Sequence, residues 1–184
     1  EEKAAELKKE GARALILDLR DNPGGLLSEA VLTADAFLDS GVIVTVNRGS
    51  REETISAEKG TTVPKDWPVV VLVNSRTASA AEIVTGVLKE NGRATVMGTQ
   101  TLGKGAVNRM FDLPDGSGIM LTVAHYLVAG KVKVSGNGIE PDVVVGEVSF
   151  PDGAGYGERR RLLIEAREKQ MERARRFLEE KSGE

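Results

Sequence analysis

The run Trp67–Val73 is the feature that most constrains the fold, because all but one of its residues are strongly apolar. A short apolar run bounded by turn residues predicts a strand. The run ends in small polar residues and is followed by a helical pattern that begins near Ser79. The sequence therefore predicts a strand, a turn and a helix, with the hydroxyl of Ser79 at the helix N-terminus.

Strand and helix patterns alternate along the rest of the chain. Helices are predicted at 1–10, 26–38 and 79–90, and the other strands at 14–19, 42–46, 54–56, 94–97, 107–113 and 119–128. The last two strands flank Pro114–Gly118, which is a strong hairpin signal. The predicted class is α/β, a mixed sheet with flanking helices. A chain of 184 residues fits one domain, so 1–184 is expected to form a single core.

Ser79 and Lys104 are the candidate reactive side chains. Backbone N–H groups at a helix N-terminus favour developing negative charge, which suits a serine that must become an alkoxide. Lys104 is flanked by Gly103 and Gly105, so its loop can approach another backbone closely. A neutral, desolvated lysine can act as the base for such a serine. Taken singly, Ser79 is an ordinary helix N-cap and Lys104 an ordinary loop lysine.

Four segments resemble the carboxy-terminal processing peptidases, also called tail-specific proteases. They occur in the family's order and are Leu15–Leu27, Asn74–Ile83, Thr101–Gly105 and Gly138–Val143. The resemblance covers roughly residues 15–145. It implies a ββα-spiral (crotonase/Clp-like) core and a serine endopeptidase with a Ser79/Lys104 dyad. The substrates that it implies are polypeptides, cut near the C-termini of unfolded or tagged proteins.

The resemblance also places an oxyanion hole at the backbone N–H groups of Gly25 and Ala80. The physical argument agrees, since Gly24 and Gly25 let the backbone approach without a side chain and Ala80 follows the nucleophile. An ordinary turn would explain the two glycines equally well. The family usually has a glutamine four residues after the lysine, which orients it. Here that residue is Asn108, which is shorter by one methylene.

A phosphate-binding loop is the competing interpretation of the lysine segment. Gly98–Gly105 matches the P-loop pattern until Gly105, which replaces the hydroxyl that would hold magnesium. The residues that follow, 106–113, form a strand pattern where a P-loop requires a helix. Both differences argue against nucleotide binding.

Two other candidate groups favour structural roles. Asp18 and Asp21 could form a paired-carboxylate site, but Asp18 interrupts a buried strand close to Arg20. His125 alternates onto the face of Leu121, Val123 and Leu127, which predicts a partly buried histidine with its hydrogen bonds satisfied. This position does not match the family's base, so a Ser-His-Asp triad is not expected.

The composition limits cofactors and partners. With 25 basic and 28 acidic side chains the net charge is −3, which indicates neither a nucleic-acid nor a membrane-surface partner. Cysteine is absent and histidine occurs once, so neither disulfides nor a zinc site are expected. We expect the protein to need no other cofactor. No apolar run approaches the roughly 20 residues of a spanning helix. The N-terminus does not resemble a signal peptide, although the family is usually exported to the bacterial envelope or the thylakoid lumen.

A charged helix is predicted over 156–181, with a narrow stripe formed by Leu163, Ala166, Gln170, Ala174 and Phe177. The stripe favours packing on the domain, and a homo-oligomer contact is the alternative. Members of the family usually carry an upstream PDZ domain that captures the substrate's C-terminus, whereas this chain is expected to be the catalytic core alone. Two function classes stay open: an active peptidase, and a catalytically silent peptide-binding or structural module. An acyl-CoA-binding protein of the crotonase type is a weaker third, based on architecture only.

Overall fold

The computed structural model of the protein describes residues 2–58, 60–146 and 148–182. Within these residues the chain forms four α-helices and eight strands. The helices are α1 (Glu2–Lys9), α2 (Leu27–Asp35), α3 (Ala80–Glu90) and α4 (Tyr156–Ser182). The strands are β1 (Leu15–Asp18), β2 (Val42–Arg48), β3 (Arg51–Ser56), β4 (Val69–Val73), β5 (Thr95–Gly98), β6 (Ala106–Asp112), β7 (Gly118–Val128) and β8 (Val143–Val144).

The strands divide between two sheets. A parallel sheet has the order β1-β4-β5-β8, and an antiparallel sheet has the order β3-β2-β7-β6. The predicted α/β class with flanking helices is therefore confirmed. The parallel and antiparallel strands form two separate sheets and not one mixed sheet. The two-residue strand β8 and the first half of β3 were not expected from the sequence.

Strand β4 lies in the middle of the core, and all five of its residues are buried. Val69, Val71 and Val73 face the larger apolar cluster, while Val70 and Leu72 face a second cluster formed with α4. Both faces of this strand are covered, which explains its continuous apolar sequence. Burial of each such side chain contributes about 1.5–3 kcal/mol of transfer free energy. β4 is thus a rigid support for the turn that follows it.

Helix α4 packs on the parallel sheet. Ala174 and Leu178 form an apolar cluster with Val70, Leu72 and Met97. Gln170 is also buried on this face. The prediction that the C-terminal helix packs on the domain is confirmed. Within the part of the chain that the structure describes, no helix combines the length and hydropathy needed to cross a membrane.

The β6–β7 hairpin is long, and β6 forms an edge of the antiparallel sheet. Pairing is regular except for a register shift between Val107 and Asn108. The far half of the hairpin exposes apolar side chains, which include Met110, Ile119, Met120 and Leu121.

His125 is exposed, so the prediction of a partly buried histidine is wrong. The buried face of β7 is formed by Ala124, Tyr126 and Val128. The face that carries His125 was chosen because Leu121 and Val123 share it, yet both of these residues are exposed. Apolar residues on both faces of β7 make the alternation ambiguous, and packing against the core decides which face is buried.

Candidate active site

Ser79 lies at the turn between β4 and α3, where it is the N-cap of the helix. Its backbone has φ 55° and ψ −121°, a conformation that a residue with a side chain rarely adopts. Such a conformation costs on the order of 1–3 kcal/mol and persists only where the surroundings enforce it. A sharp, strained turn from strand to helix presents a serine hydroxyl outward, as the nucleophile elbow of hydrolases does.

Glu82 holds this turn in place. Its side chain is fully buried, and its Oε2 accepts a hydrogen bond from the Ser79 N–H at 2.7 Å. The same oxygen accepts from the Lys104 N–H at 2.9 Å. The other oxygen, Oε1, accepts from the Gly103 N–H at 2.7 Å and from the Thr101 hydroxyl at 2.5 Å. One buried carboxylate therefore joins the turn at 74–79, the serine turn, to the loop at 99–105, the lysine loop.

The lysine loop has two further attachments near Ser79. The Leu102 N–H donates to the carbonyl of Thr77 at 2.9 Å. The Tyr126 hydroxyl donates to the carbonyl of Lys104 at 2.5 Å. The loop leads into β6, so Lys104 does not open a helix and the P-loop alternative lacks its structural context.

Tyr126 is only 3% exposed and lines the same cleft as Ser79 and Lys104. Burial raises the pKa of its phenol, and the charge of Glu82 raises it further, although a hydrogen bond with the Ser79 side chain acts in the opposite direction. The phenol therefore stays protonated at neutral pH. It is a permanent donor that contacts both the lysine loop and the serine side chain.

The loop at 21–25, the glycine loop, packs directly against the serine turn. The Ala78 N–H donates to the Asn22 carbonyl at 2.9 Å, and the Gly24 N–H donates to Asn22 Oδ1 at 2.9 Å. Gly24 has φ 99°, and a Cβ at this position would lie 2.7 Å from the Ala78 carbonyl oxygen. Only glycine fits so close an approach. The contact brings Gly25 beside the serine turn.

The predicted site residues meet in one cleft of about 280 Å³. Its lining includes Gly25, Ser79, Ala80, Lys104 and Asn108. An apolar wall completes the cleft and is formed by Leu27, Ile83, Val107 and Met120. Ser79 is half-buried, whereas Lys104 is exposed. Residues that carry a hydroxyl, Ser79, and an amine, Lys104, therefore line one cleft together with apolar side chains.

The Asn108 side chain contacts the neighbouring strand. The Thr122 hydroxyl donates to Asn108 Oδ1 at 3.0 Å, and Asn108 Nδ2 lies 3.9 Å from the sulfur of Met120. Asn108 follows directly on the register shift of the hairpin. That this amide orients Lys104 stays a prediction.

Asp18 and Asp21 both bind arginine. Arg20 Nε and a terminal Arg20 nitrogen contact the two oxygens of Asp18 at 2.8 and 2.6 Å. Arg76 Nε donates to Asp21 at 2.6 Å. These contacts agree with the structural interpretation of the two carboxylates.

Glu82 and Tyr126 were missed in the sequence. Glu82 had a signal, because a serine followed three residues later by glutamate is the capping-box spacing. Tyr126 had no local sequence signal, since its hydrogen bond to the Lys104 carbonyl depends on a contact between β7 and the lysine loop.

The sequence matches a known peptidase family over most of its length. The family model described as Peptidase family S41 matches residues 1–145. The chain belongs to peptidase family S41.

Curated relatives are similar over three quarters of the chain. A carboxyl-terminal-processing protease of Picosynechococcus sp. is 47% identical over 141 residues, which cover 76% of this chain and 34% of the relative. The chloroplastic carboxyl-terminal-processing peptidase 1 of Arabidopsis thaliana is 40% identical over 139 residues, covering 74% and 28%. The chain thus spans about a third of the length of these relatives.

Solved structures share the fold. The photosystem II D1 C-terminal processing protease superposes with a TM-score of 0.69 at 38% identity, over 78% of this chain and 37% of that one. Mature CPAF complexed with lactacystin gives a TM-score of 0.66 at 17% identity, over 78% and 42%. The second likeness concerns the fold alone.

Proposed function

We propose that the chain is the catalytic core of a serine endopeptidase that uses Ser79 and Lys104 to cut polypeptides near their C-termini. The observation that carries the proposal is the common cleft of Ser79, Lys104, Gly25 and Ala80. Membership of peptidase family S41 and the names of the relatives, carboxyl-terminal-processing proteases, support the reaction and the substrate class.

The first half of the reaction forms an acyl-enzyme. Neutral Lys104 takes the proton of Ser79 as the hydroxyl oxygen attacks the scissile carbonyl. The negative charge that develops on the carbonyl oxygen is accepted by the backbone N–H groups of Gly25 and Ala80. The C–N bond then breaks, Lys104 returns its proton to the amine, and the C-terminal fragment leaves.

Water completes the cycle. Lys104 takes a proton from a water molecule, which attacks the Ser79 ester at the same carbonyl carbon. The same two N–H groups stabilise the second tetrahedral intermediate. Its collapse releases the new carboxyl end and returns the proton to Ser79.

Lys104 must lose water contact to act as a base, and in the free chain it is exposed. A polypeptide lying across the cleft, with an apolar side chain against Leu27 and Met120, would cover it. The proposed base is thus completed by substrate binding, which also confines the reactive state to the occupied enzyme.

The exposure of Lys104 is also the observation that favours a second candidate function. A lysine that stays hydrated is a poor base and does not activate Ser79. The chain would then be a catalytically silent module that binds peptides in the same cleft.

A fluorophosphonate probe separates the two functions, because only an activated serine reacts with it. We expect the chain to be labelled, and Ser79→Ala and Lys104→Ala to abolish labelling and peptide hydrolysis together. Lys104→Arg should fail as well, since arginine does not deprotonate. Ser117→Ala and Lys133→Arg, at exposed positions away from the cleft, serve as controls. Hydrolysis that survives in Ser79→Ala or Lys104→Arg would refute the dyad, and an unlabelled wild type would support the silent module.

We also propose that the protein works outside the cytosol. The relatives include bacterial proteins and chloroplastic ones, which is consistent with a bacterial envelope or thylakoid lumen. Fractionation of cells that express the native gene tests this, and recovery in the cytosolic fraction would contradict it.

A further inference from the structure

Asp21 begins the loop that ends at Gly25. It has φ 63°, a left-handed conformation that aspartate and asparagine tolerate better than most residues. Its N–H donates to Asn74 Oδ1 at 2.9 Å, which ties the start of the loop to the end of β4. The carbonyl of Asn22 then accepts a hydrogen bond from the Ala78 N–H of the serine turn. The path of the loop from Asp21 to Gly25 is therefore fixed at its first two residues.

The Asp21 carboxylate binds three side chains from two different parts of the fold. Asn74 Nδ2 donates at 2.8 Å and Arg76 Nε at 2.6 Å, both from the segment that follows β4. The third partner, Arg167, comes from α4 and contacts Asp21 Oδ2 at 2.8 Å. Burial would raise the pKa of Asp21, but these hydrogen bonds and the charges of Arg76 and Arg167 hold it below the ordinary value. Asp21 is therefore charged at neutral pH.

Helix α4 is itself held firmly at this point. The Arg20 side chain, 4% exposed, donates to the Arg167 carbonyl at 3.0 Å and to Gln170 Oε1 at 2.8 Å. Gln170 Nε2 in turn donates to the carbonyl of Val145 at 3.1 Å. The helical turn that carries Arg167 thus has a buried anchor, so its guanidinium reaches Asp21 from a fixed base.

The family model ends at residue 145, before α4 begins. The contact between Arg167 and Asp21 therefore joins a segment outside the matched region to the loop that carries a proposed oxyanion donor. The link between α4 and the proposed active site therefore rests on the contact between Arg167 and Asp21 and not on the family model, which does not include α4.

We propose that Arg167 is a positioning residue of the active site, which acts through Asp21 to hold the Gly25 N–H in line for the oxyanion. The inference rests on the proposed function. Asp21 and Arg167 are 28% and 47% exposed, so their ion pair adds little to global stability. A small displacement of an oxyanion donor, in contrast, weakens transition-state binding strongly. The pair should therefore affect the reaction rate more than the fold.

The test uses Arg167→Gln and Asp21→Asn in the full chain. Asparagine keeps the tolerance for φ 63° and one acceptor oxygen for Asn74 and Arg76, but it removes the charge and the oxygen that binds Arg167. We expect each variant to slow fluorophosphonate labelling and kcat about tenfold, less than deletion of a donor would, with KM nearly unchanged. The double variant should be no slower than the worse single variant, because both changes break one contact. Arg167→Lys should recover most of the rate.

Arg176→Gln is the matched control, since Arg176 lies on the same helix and pairs with Glu172 of that helix. Its rate should equal that of the wild type. Hydrogen exchange of the amides in 22–26 gives a readout that does not need activity, and Arg167→Gln should speed it about tenfold. Unchanged rates and exchange in Arg167→Gln, or strictly additive losses in the double variant, would overturn the inference. If the wild type is not labelled, the proposed function fails and exchange of 22–26 alone decides the role of Arg167.

Discussion

The backbone N–H groups of Ser79 and Lys104 donate to one and the same atom, Oε2 of Glu82, at 2.7 and 2.9 Å. The two residues of the proposed dyad are thus held at a set separation by a third side chain. Because Glu82 is fully buried, the N–H groups that it binds lose their acceptor when an apolar side chain replaces it. The spacing of the dyad is therefore tied to the integrity of the core.

Glu82→Gln should impair both stability and labelling. An amide offers one acceptor oxygen where the carboxylate offers two, so at least one buried N–H loses its partner at a cost of about 1–3 kcal/mol. We expect a lower Tm by circular dichroism and labelling at least about tenfold slower. Glu158→Gln, at an exposed position on α4, should change neither. An unaltered Tm in Glu82→Gln would show that the four hydrogen bonds are not required.

Tyr126→Phe removes only the hydroxyl that contacts the Lys104 carbonyl and the Ser79 side chain. The lost hydrogen bond should lower stability by about 0.5–1.5 kcal/mol, while freer movement of the lysine loop should slow labelling about tenfold. Denaturant unfolding and labelling kinetics measure the two effects. Tyr156→Phe, at an 86% exposed position, is the control. A loss of stability with full labelling would assign Tyr126 to the core alone.

Asn108→Gln should raise the rate of a detectable peptidase. The longer side chain restores the reach of the amide toward Lys104 that the family resemblance implies. Single-turnover hydrolysis of a peptide measures the effect, with Thr122→Val as a companion that removes the present partner of Asn108. A rate that is equal or lower in Asn108→Gln would mean that this amide serves the hairpin and not the lysine.

Asp18 should make stability depend on pH in the acid range. Burial raises its pKa, but the hydrogen bonds of Arg20 and the charges of Arg20 and Arg167 outweigh this and lower it below 3.8. The stabilisation is thus present above 3.8, the value expected in the unfolded chain, and is lost as the pH falls through the lower folded value. Asp18→Asn should lower the Tm at neutral pH, and the difference from the wild type should shrink below 3.8. A difference that stays constant in acid would contradict the assignment.

The serine turn could be predicted because its signals are local. The apolar run of β4 and the helical spacing of α3 each occupy one continuous segment, and Ser79 lies at their junction. The meeting of Ser79 with Lys104 and Gly25 came from the order of the family motifs and not from local patterns. The hydrogen bond of Glu82 to the Ser79 N–H had a local signal in the capping-box spacing. Its bonds to Thr101, Gly103 and Lys104 lay beyond either source, since they join groups that only the folded chain brings together.

Two strands were harder to predict than the others, β7 of the antiparallel sheet and β8 of the parallel sheet. β7 carries apolar residues on both faces, so alternation could not decide which face is buried, and the face that carries His125 was wrongly taken to be the buried one. β8 has only two residues, and it is defined by its pairing with Met97 and Gly98. Such elements depend on tertiary contacts more than on their own sequence.

The pairing of the parallel sheet also bears on how the chain reaches its native state. Leu15 pairs with Val69, and Met97 pairs with Val143, so this sheet closes only after long stretches of chain have been ordered. The β6–β7 hairpin, in contrast, needs only its own residues. Contacts between distant segments carry a large entropic cost before they are rewarded, and they slow folding. A nascent chain would therefore expose Val70 and Leu72, the face of β4 that α4 covers, until β8 and α4 have left the ribosome.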